Sequence, residues 1–303
     1  MLIGPDAHAT AAALSTNPLR ELAPAKVNLF LEIKGKRADG FHEVATLMVA
    51  VDLCDELTLA PAADVTLTTD AAGLATGPEN LVCRAATALR AHAGITAGAA
   101  MHLTKRIPWA AGLGGGSSDA AAALRGLNRL WNLNLPPGEL AAVAATLGSD
   151  VPFFLGGPAA WCTGRGEIIT PAGVGGAFDL VLVKPDFGLA TADVYRRLRV
   201  PENPIDGAAA RAALAAGDAE ALGRVLHNRL EGPAFELAPA VADWRRRLDA
   251  YKAAGTLMSG SGSCLFALCR NPEEARRVAD DLSDGLASQG DSKTRVYRVR
   301  SRY

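Results

Sequence analysis

Val27, Leu29, Leu31 and Ile33 alternate with Lys26, Asn28, Phe30 and Glu32. A period of two predicts a strand with one buried face, with Lys26 and Asn28 together on the other. Polar residues run from Lys34 to Gly40 and end in Asp39-Gly40, a turn signal. Further strands are predicted over 43–59, 64–69 and 101–105. Asn80 precedes an amphipathic run from Leu81 to Ala93, which reads as a helix with an Asn cap. Helices follow over 118–131 and from Pro136-Pro137 to Leu147, the second stopped by Gly148.

Beyond this point Trp161 to Ile169 and Asp179 to Lys184 read as strands, and helical spacing dominates from Ala208 to Ala254. Leu265 to Cys269, Glu273 to Leu286 and Arg295 to Arg300 read as strand, helix and strand. Strands and helices mix without regular alternation, so the class expected is α+β. Glycines cluster between Cys162 and Gly175, which marks the expected domain boundary.

Composition narrows the function. The 303 residues are 49% hydrophobic and 21% charged, with a net charge of −1. That balance gives no bulk attraction to nucleic acid or to an acidic membrane surface. No apolar run approaches the roughly 20 residues that span a bilayer. The five cysteines form no CxxC pair and are odd in number, which argues against a disulfide framework or structural zinc. Met1 to Arg20 lacks a basic start and apolar stretch, so it reads as a mobile extension rather than a signal peptide. A cytoplasmic protein is expected.

The segment Pro108-Trp109-Ala110-Ala111-Gly112-Leu113-Gly114-Gly115-Gly116-Ser117-Ser118 joins a predicted strand to a predicted helix. Glycines let backbone N–H groups approach a ligand, and a helix start adds unpaired donors and partial positive charge. The segment therefore reads as a phosphate loop, against the plainer reading of a turn with a serine cap. It is not a Walker loop, since no lysine follows Gly116. A Rossmann fingerprint fails because another helix, not a second strand, comes next. No His-Arg-Asp catalytic loop follows, and Asp186-Phe187-Gly188 stands alone without it, which argues against the protein kinases.

The same segment resembles the phosphate-binding signature of the GHMP kinases. Ala23-Pro24-Ala25-Lys26-Val27-Asn28 and Met258-Ser259-Gly260-Ser261-Gly262-Ser263-Cys264 fall where that family has its other motifs. Gly40-Phe41-His42, Gly148-Ser149-Asp150-Val151-Pro152 and Gly164-Arg165-Gly166-Glu167 resemble the branch whose substrate carries a cytidine diphosphate. The resemblance implies a two-domain architecture with the active site in the cleft between domains. An extension over 1–20, an ATP-binding domain over 21–162 and a substrate-binding domain over 163–303 are expected on that basis. It also implies ATP, with Mg²⁺ carried mainly by its phosphates, a small-molecule partner, and a monomer or weak homodimer. Phe41 stands where the family commonly has tyrosine, and Trp109 where methionine often sits.

Asp150 is the candidate base for an alcohol, because a carboxylate can take the hydroxyl proton as the phosphorus–oxygen bond forms. From the residues alone, a cap on the next helical turn is an equal reading; the resemblance favours catalysis. Lys26 would support the charge, against the plain reading of a solvated edge lysine. Asn28 would orient Lys26 or the hydroxyl. By resemblance, Gly112, Leu113, Gly114, Gly115, Gly116, Ser117 and Ser118 hold the triphosphate after Pro108, and Asn80 and Lys105 touch adenine. Asn80 is also a good helix cap. By resemblance too, Phe41, His42 and Tyr195 surround the cytosine, and the Ser259 loop lies under the acceptor. A kinase for homoserine or mevalonate, or a non-catalytic nucleotide-binding protein, are the alternatives.

Overall fold

The computed structural model describes residues 18–302. The first half carries β1 (Leu19–Lys36), β2 (His42–Ala62), β3 (Val65–Thr69), α1 (Leu81–Ala93), β4 (Gly98–Thr104), α2 (Gly115–Leu130) and α3 (Pro137–Leu147). Next come β5 (Ala159–Thr163), β6 (Ile168–Pro171), β7 (Asp179–Lys184), α4 (Thr191–Arg197), α5 (Ala208–Ala216), α6 (Ala219–Arg224) and β8 (His227–Asn228). The chain closes with α7 (Glu231–Leu237), α8 (Pro239–Asp249), β9 (Gly255–Met258), β10 (Leu265–Cys269), α9 (Pro272–Ser288) and β11 (Arg295–Arg300). The class is α+β.

Two sheets organise these elements. The first runs β3-β4-β2-β1-β8, with the β5–β6 hairpin added to β2. β2 serves two partners along one edge: Thr46 to Val49 pair with β5, and Glu56 to Ala62 pair with β4. The second sheet runs β11-β7-β10-β9. One apolar cluster packs α1, α2 and α3 on the first sheet. A second joins Val27 and Leu29 of β1 to Leu180, Leu182, Phe266 and Leu268 of the other sheet. A third packs α7, α8 and α9 on the outer side of the second sheet.

β1 departs from its expected single buried face, because Ala25 to Ile33 are buried throughout. One side meets the second sheet and the other meets the loops of the site, so Lys26, Asn28 and Glu32 are polar residues inside the protein. The pairing of β1 with β2 slips between Pro24 and Lys26 and again between Asn28 and Phe30. These irregularities re-aim side chains locally, as bulges do beside functional sites.

Other departures have simple causes. α2 begins at Gly115, not Ser118, because glycine tolerates the first helical turn once Gly114 (φ 70°) has reversed the chain. The run over 161–169 divides into β5 and β6 around a turn at Gly164 (φ 71°) and Gly166 (φ 115°). That turn keeps 163–171 in the first sheet, the second sheet begins with β7, and β8 returns to β1. Leu19 and Arg20, assigned to the extension, pair with Leu59 and Thr58. The rest of that expectation, 1–17, lies outside the described residues.

Candidate active site

β1 and the glycine loop meet at Lys26. Its backbone N–H donates to the Leu113 carbonyl at 2.9 Å, and its Nζ donates to the Gly112 carbonyl at 2.9 Å. Nζ also donates to Asn28 Oδ1 at 2.5 Å and lies 3.7 Å from Asp150 Oδ2. A solvated edge lysine is excluded, since the residue is buried. Burial pulls its pKa below the ordinary lysine value, and the Asp150 carboxylate opposes that pull.

Asn28 is set by Thr46. Thr46 Oγ1 donates its one hydrogen to the Phe30 carbonyl at 2.7 Å and accepts from Asn28 Nδ2 at 2.8 Å. The amide is thereby held with Oδ1 toward Lys26. Thr46 carries no motif signal of its own; β1–β2 pairing places it there.

The loop is shaped by close approach. Gly112 has φ 75°, and a Cβ there would lie 2.1 Å from the Ser259 carbonyl oxygen. A Cβ on Gly114 would lie 2.8 Å from Phe154. Ser259 Oγ donates to the Gly112 carbonyl at 3.0 Å and accepts from Asn28 N–H at 3.3 Å. Three distant segments therefore close on one another with no space for larger residues. Gly114, as the cap of α2, has no side chain to cover the first-turn N–H groups. That leaves an anion site at the positive end of the helix. The serine-cap reading is excluded. Ser118 Oγ is buried with no partner among the described residues.

Pro108, Gly112 to Ser117, Lys26, Asn28, Asp150 and Tyr195 line one cleft of about 440 Å³. A second cavity, of about 720 Å³, shares Asp150, Arg165, Thr191 and Tyr195 with it and adds Phe41 and His42. Phe41, His42 and Tyr195 all line this second cavity, where the resemblance expects the cytosine. His42 packs on Tyr195 with ring centroids 5.1 Å apart, and the Arg165 guanidinium lies 4.8 Å over the Phe41 ring. Phe41 lies in the bend before β2 and His42 opens the strand, so the two take different partners. Burial and the charge of Lys36 lower the His42 pKa; burial and the charge of Asp150 push Tyr195 up to about 12.

Two residues expected at the adenine make bonds within the protein. Asn80 caps α1, accepting from Val82 N–H at 2.9 Å and donating to the Ala75 carbonyl at 2.6 Å. Lys105 Nζ is buried under the loop, bonded to Asp119 Oδ2 at 2.7 Å and to Asp55. Asp55 also accepts from the N–H groups of Arg106, at 2.5 Å, and Ile107, at 2.8 Å. Burial, together with Asp55, pushes Asp119 up to about 7 against the pull of Lys105. This cluster fixes the start of the loop and escaped sequence reading, because two isolated aspartates carry no motif. Ser261 Oγ, in the loop expected under the acceptor, lies 2.9 Å from Thr191 Oγ1 beside both cavities. Asp150 precedes a short 3₁₀ turn at Pro152–Leu155 whose first residue has no side-chain cap, so the capping role for Asp150 falls away.

Known proteins match this chain in sequence and fold. The GHMP kinases N terminal domain family matches residues 80–158, and the GHMP kinases C terminal family matches 210–288. A 4-diphosphocytidyl-2-C-methyl-D-erythritol kinase of Pelotomaculum thermopropionicum is 46% identical over 85% of this chain and 91% of its own length. One from a Nocardioides species is 42% identical over 86% of this chain and 92% of its own. A crystal structure of 4-(cytidine 5'-diphospho)-2C-methyl-D-erythritol kinase superposes with a TM-score of 0.78 at 38% identity, over 94% of this chain and all of that one. A homoserine kinase of Cytophaga hutchinsonii shares the fold at 22% identity with a TM-score of 0.74, over 97% of each chain. With both halves matched and identity sustained across most of its length, the chain belongs to the 4-diphosphocytidyl-2-C-methyl-D-erythritol kinase family of the GHMP kinases.

Proposed function

We propose that the chain transfers the γ-phosphoryl group of ATP to the 2-hydroxyl of 4-diphosphocytidyl-2-C-methyl-D-erythritol, a step of non-mevalonate isoprenoid precursor synthesis. The observation that carries the reading is the Lys26–Asp150 pair, 3.7 Å apart where the glycine-loop cleft meets the aromatic cavity. The triphosphate lies along Gly112 to Ser118 at the start of α2, and the cytosine lies among Phe41, His42 and Tyr195. The substrate hydroxyl then reaches Asp150.

In this mechanism the hydroxyl oxygen attacks the γ-phosphorus while the bond to the β,γ-bridging oxygen breaks and ADP leaves. Asp150 takes the hydroxyl proton. Lys26 offsets charge on the transferring group and holds the loop in place through the Gly112 carbonyl. Phosphoryl transfer depends chiefly on position, and the Thr46–Asn28–Lys26 chain of hydrogen bonds supplies it.

Magnesium fits this site as a companion of ATP. Ser117, which lines the cleft, and the neighbouring Ser118, whose buried hydroxyl has no partner among the described residues, are the groups that would hold it. Among the described residues no cluster of three His, Cys, Asp or Glu forms a cage of its own. When bound, the ion neutralises phosphate charge. No helix among the described residues is long and apolar enough to cross a membrane. The reading carries with it a cytoplasmic enzyme working as a monomer or weak homodimer.

The test is ADP release with a panel of alcohols. The cytidine-linked tetritol should be turned over and homoserine and mevalonate left untouched. Equal turnover of either simple alcohol sinks the cytidine reading, and ATP binding with no turnover of any would favour a non-catalytic binder.

A further inference from the structure

β8 is two residues long, yet it is tied on three sides. Asn228 pairs with Leu31 of β1, and Arg229 N–H donates to the Leu31 carbonyl at 2.9 Å. The Arg229 guanidinium holds Glu32, the next residue of β1. The third tie is the buried side chain of Asn228, which reaches the loop between β9 and β10. Its Nδ2 donates both hydrogens, one to the Met258 carbonyl at 2.7 Å and one to the Gly260 carbonyl at 2.8 Å. Its Oδ1 accepts from Leu230 N–H at 2.9 Å, which fixes the way the amide points. Serine has one hydrogen to give and an ionised aspartate none, so neither could bridge both carbonyls.

The bridged carbonyls flank Ser259, whose hydroxyl donates to the Gly112 carbonyl at 3.0 Å. Gly260 comes close to the reacting groups as well. A Cβ built on it would lie 3.3 Å from Lys26 Nζ and 3.4 Å from Asn28 Oδ1. One stretch of backbone is therefore clamped by Asn228 on one side and packed against Lys26, Asn28 and Gly112 on the other. Met258, Ser259 and Gly260 are buried, so water is a poor substitute for the amide. Without it the two carbonyls lose their donors, and the stretch gains reason to move. Asn228 lines neither cavity, which leaves the loop as its route to the site.

We infer that Asn228 is a positioning residue for the phosphoryl transfer, holding the Ser259–Gly260 backbone so that Lys26 and the glycine loop keep their places beside Asp150. The inference rests on the kinase reading of the site, in which Lys26 offsets phosphate charge.

The experiment measures ADP release by the full chain acting on the cytidine-linked tetritol, in the unaltered protein, Asn228→Ala and Asn228→Ser, at temperatures where circular dichroism shows each folded. Asn228→Ala should lower kcat by about tenfold to a hundredfold, the scale of two buried acceptors left unpaired, while the KM for ATP stays within about twofold. Asn228→Ser keeps one donor and should recover part of the loss. A second readout is the alkaline limb of the rate. Burial lowers the pKa of Lys26, and Asp150 and Cys162 are the ionisable groups that act on it. A loosened loop admits water, so the limb should move to higher pH in Asn228→Ala. A lower unfolding midpoint with kcat and the limb unchanged would overturn the inference, because Asn228 would then only support the fold. A change confined to the KM for ATP would overturn it too, and so would failure of both variants to fold. If the unaltered protein turns over no cytidine-linked tetritol, the kinase reading itself fails and the inference falls with it.

Discussion

Lys26 Nζ stands 3.7 Å from Asp150 Oδ2, the lysine side chain 4% exposed and the carboxylate 38% exposed. The cation is thus locked into the protein, while the carboxylate opens to the cleft where an alcohol arrives. The asymmetry suits the proposed roles, in which the buried partner fixes charge and loop position and the open one exchanges a proton.

Asp150→Asn should keep the shape and lose the base. General-base catalysis contributes about 10²–10⁴-fold, so kcat should fall by that factor while ATP affinity holds. Steady-state ADP release with a separate nucleotide titration checks it. Unchanged turnover removes Asp150 as base.

Lys26 gives a pH dependence. Its pKa in the folded protein lies below the ordinary lysine value, chiefly through burial. The protonated form is the one that offsets phosphate charge, so activity should fall as pH rises through a value below the usual lysine range of about 10.4. Lys26→Arg, charged at every accessible pH, should lose activity at neutral pH through altered geometry and also lose this alkaline limb. A rate profile from pH 6 to about 10.5 separates the two. An alkaline limb retained in Lys26→Arg belongs to another group.

Much of the scaffold was legible in the sequence. The bounds of α1, β7, β10 and β11 follow from apolar period and from Asn, Gly and Pro signals, and the glycine loop was identified by its own chemistry. What escaped was set by tertiary pairing. Lys26 looked like an edge residue because alternation along β1 cannot show that loops cover its second face. The buried ion pairs of Lys105 could not be read from the pattern, because its partners Asp55 and Asp119 carry no motif. α4 was missed: it has seven residues and no side-chain cap, so little in the local pattern marks it. Phe41 and His42 share one cavity, but their partners, Arg165 and Tyr195, lie more than a hundred residues on.

Gly112→Ala tests the closure of the loop. The added Cβ would meet the Ser259 carbonyl oxygen at 2.1 Å, a backbone atom that cannot rotate away, and φ 75° is strained for alanine. The segment must shift, which carries the Gly112 carbonyl away from Lys26. We expect kcat to fall at least about a hundredfold, the scale of losing one fixed charge-stabilising contact. Far-ultraviolet circular dichroism should stay near that of the unaltered protein, because the change lies between elements. Full activity in Gly112→Ala would show that the contact between the two loops is dispensable.

Glu32 tests the joint between β1 and the second half of the chain. Its carboxylate accepts from Arg229 Nε at 2.8 Å and a second guanidinium nitrogen at 2.7 Å, from Ile33 N–H at 2.8 Å and from Ile205 N–H at 2.9 Å. Burial alone would raise its pKa, but these donors outweigh burial and bring it down to about 2. The ordinary glutamate value is about 4.3, so the unfolded chain takes up the proton first as pH falls. The stability Glu32 contributes is therefore fully present above about pH 4.3 and is lost as pH falls toward 2. His227, lowered by burial, behaves in the same sense but over a higher range, below the ordinary histidine value. Glu32→Gln should lower stability at pH 7 by about 3 kcal/mol, since it leaves the Arg229 charge without its partner. It should also flatten the decline below about pH 4.3. Urea unfolding midpoints across pH 2.5 to 7 check both. An unaltered acid decline in Glu32→Gln would mean that Glu32 is not the group whose protonation loosens this joint.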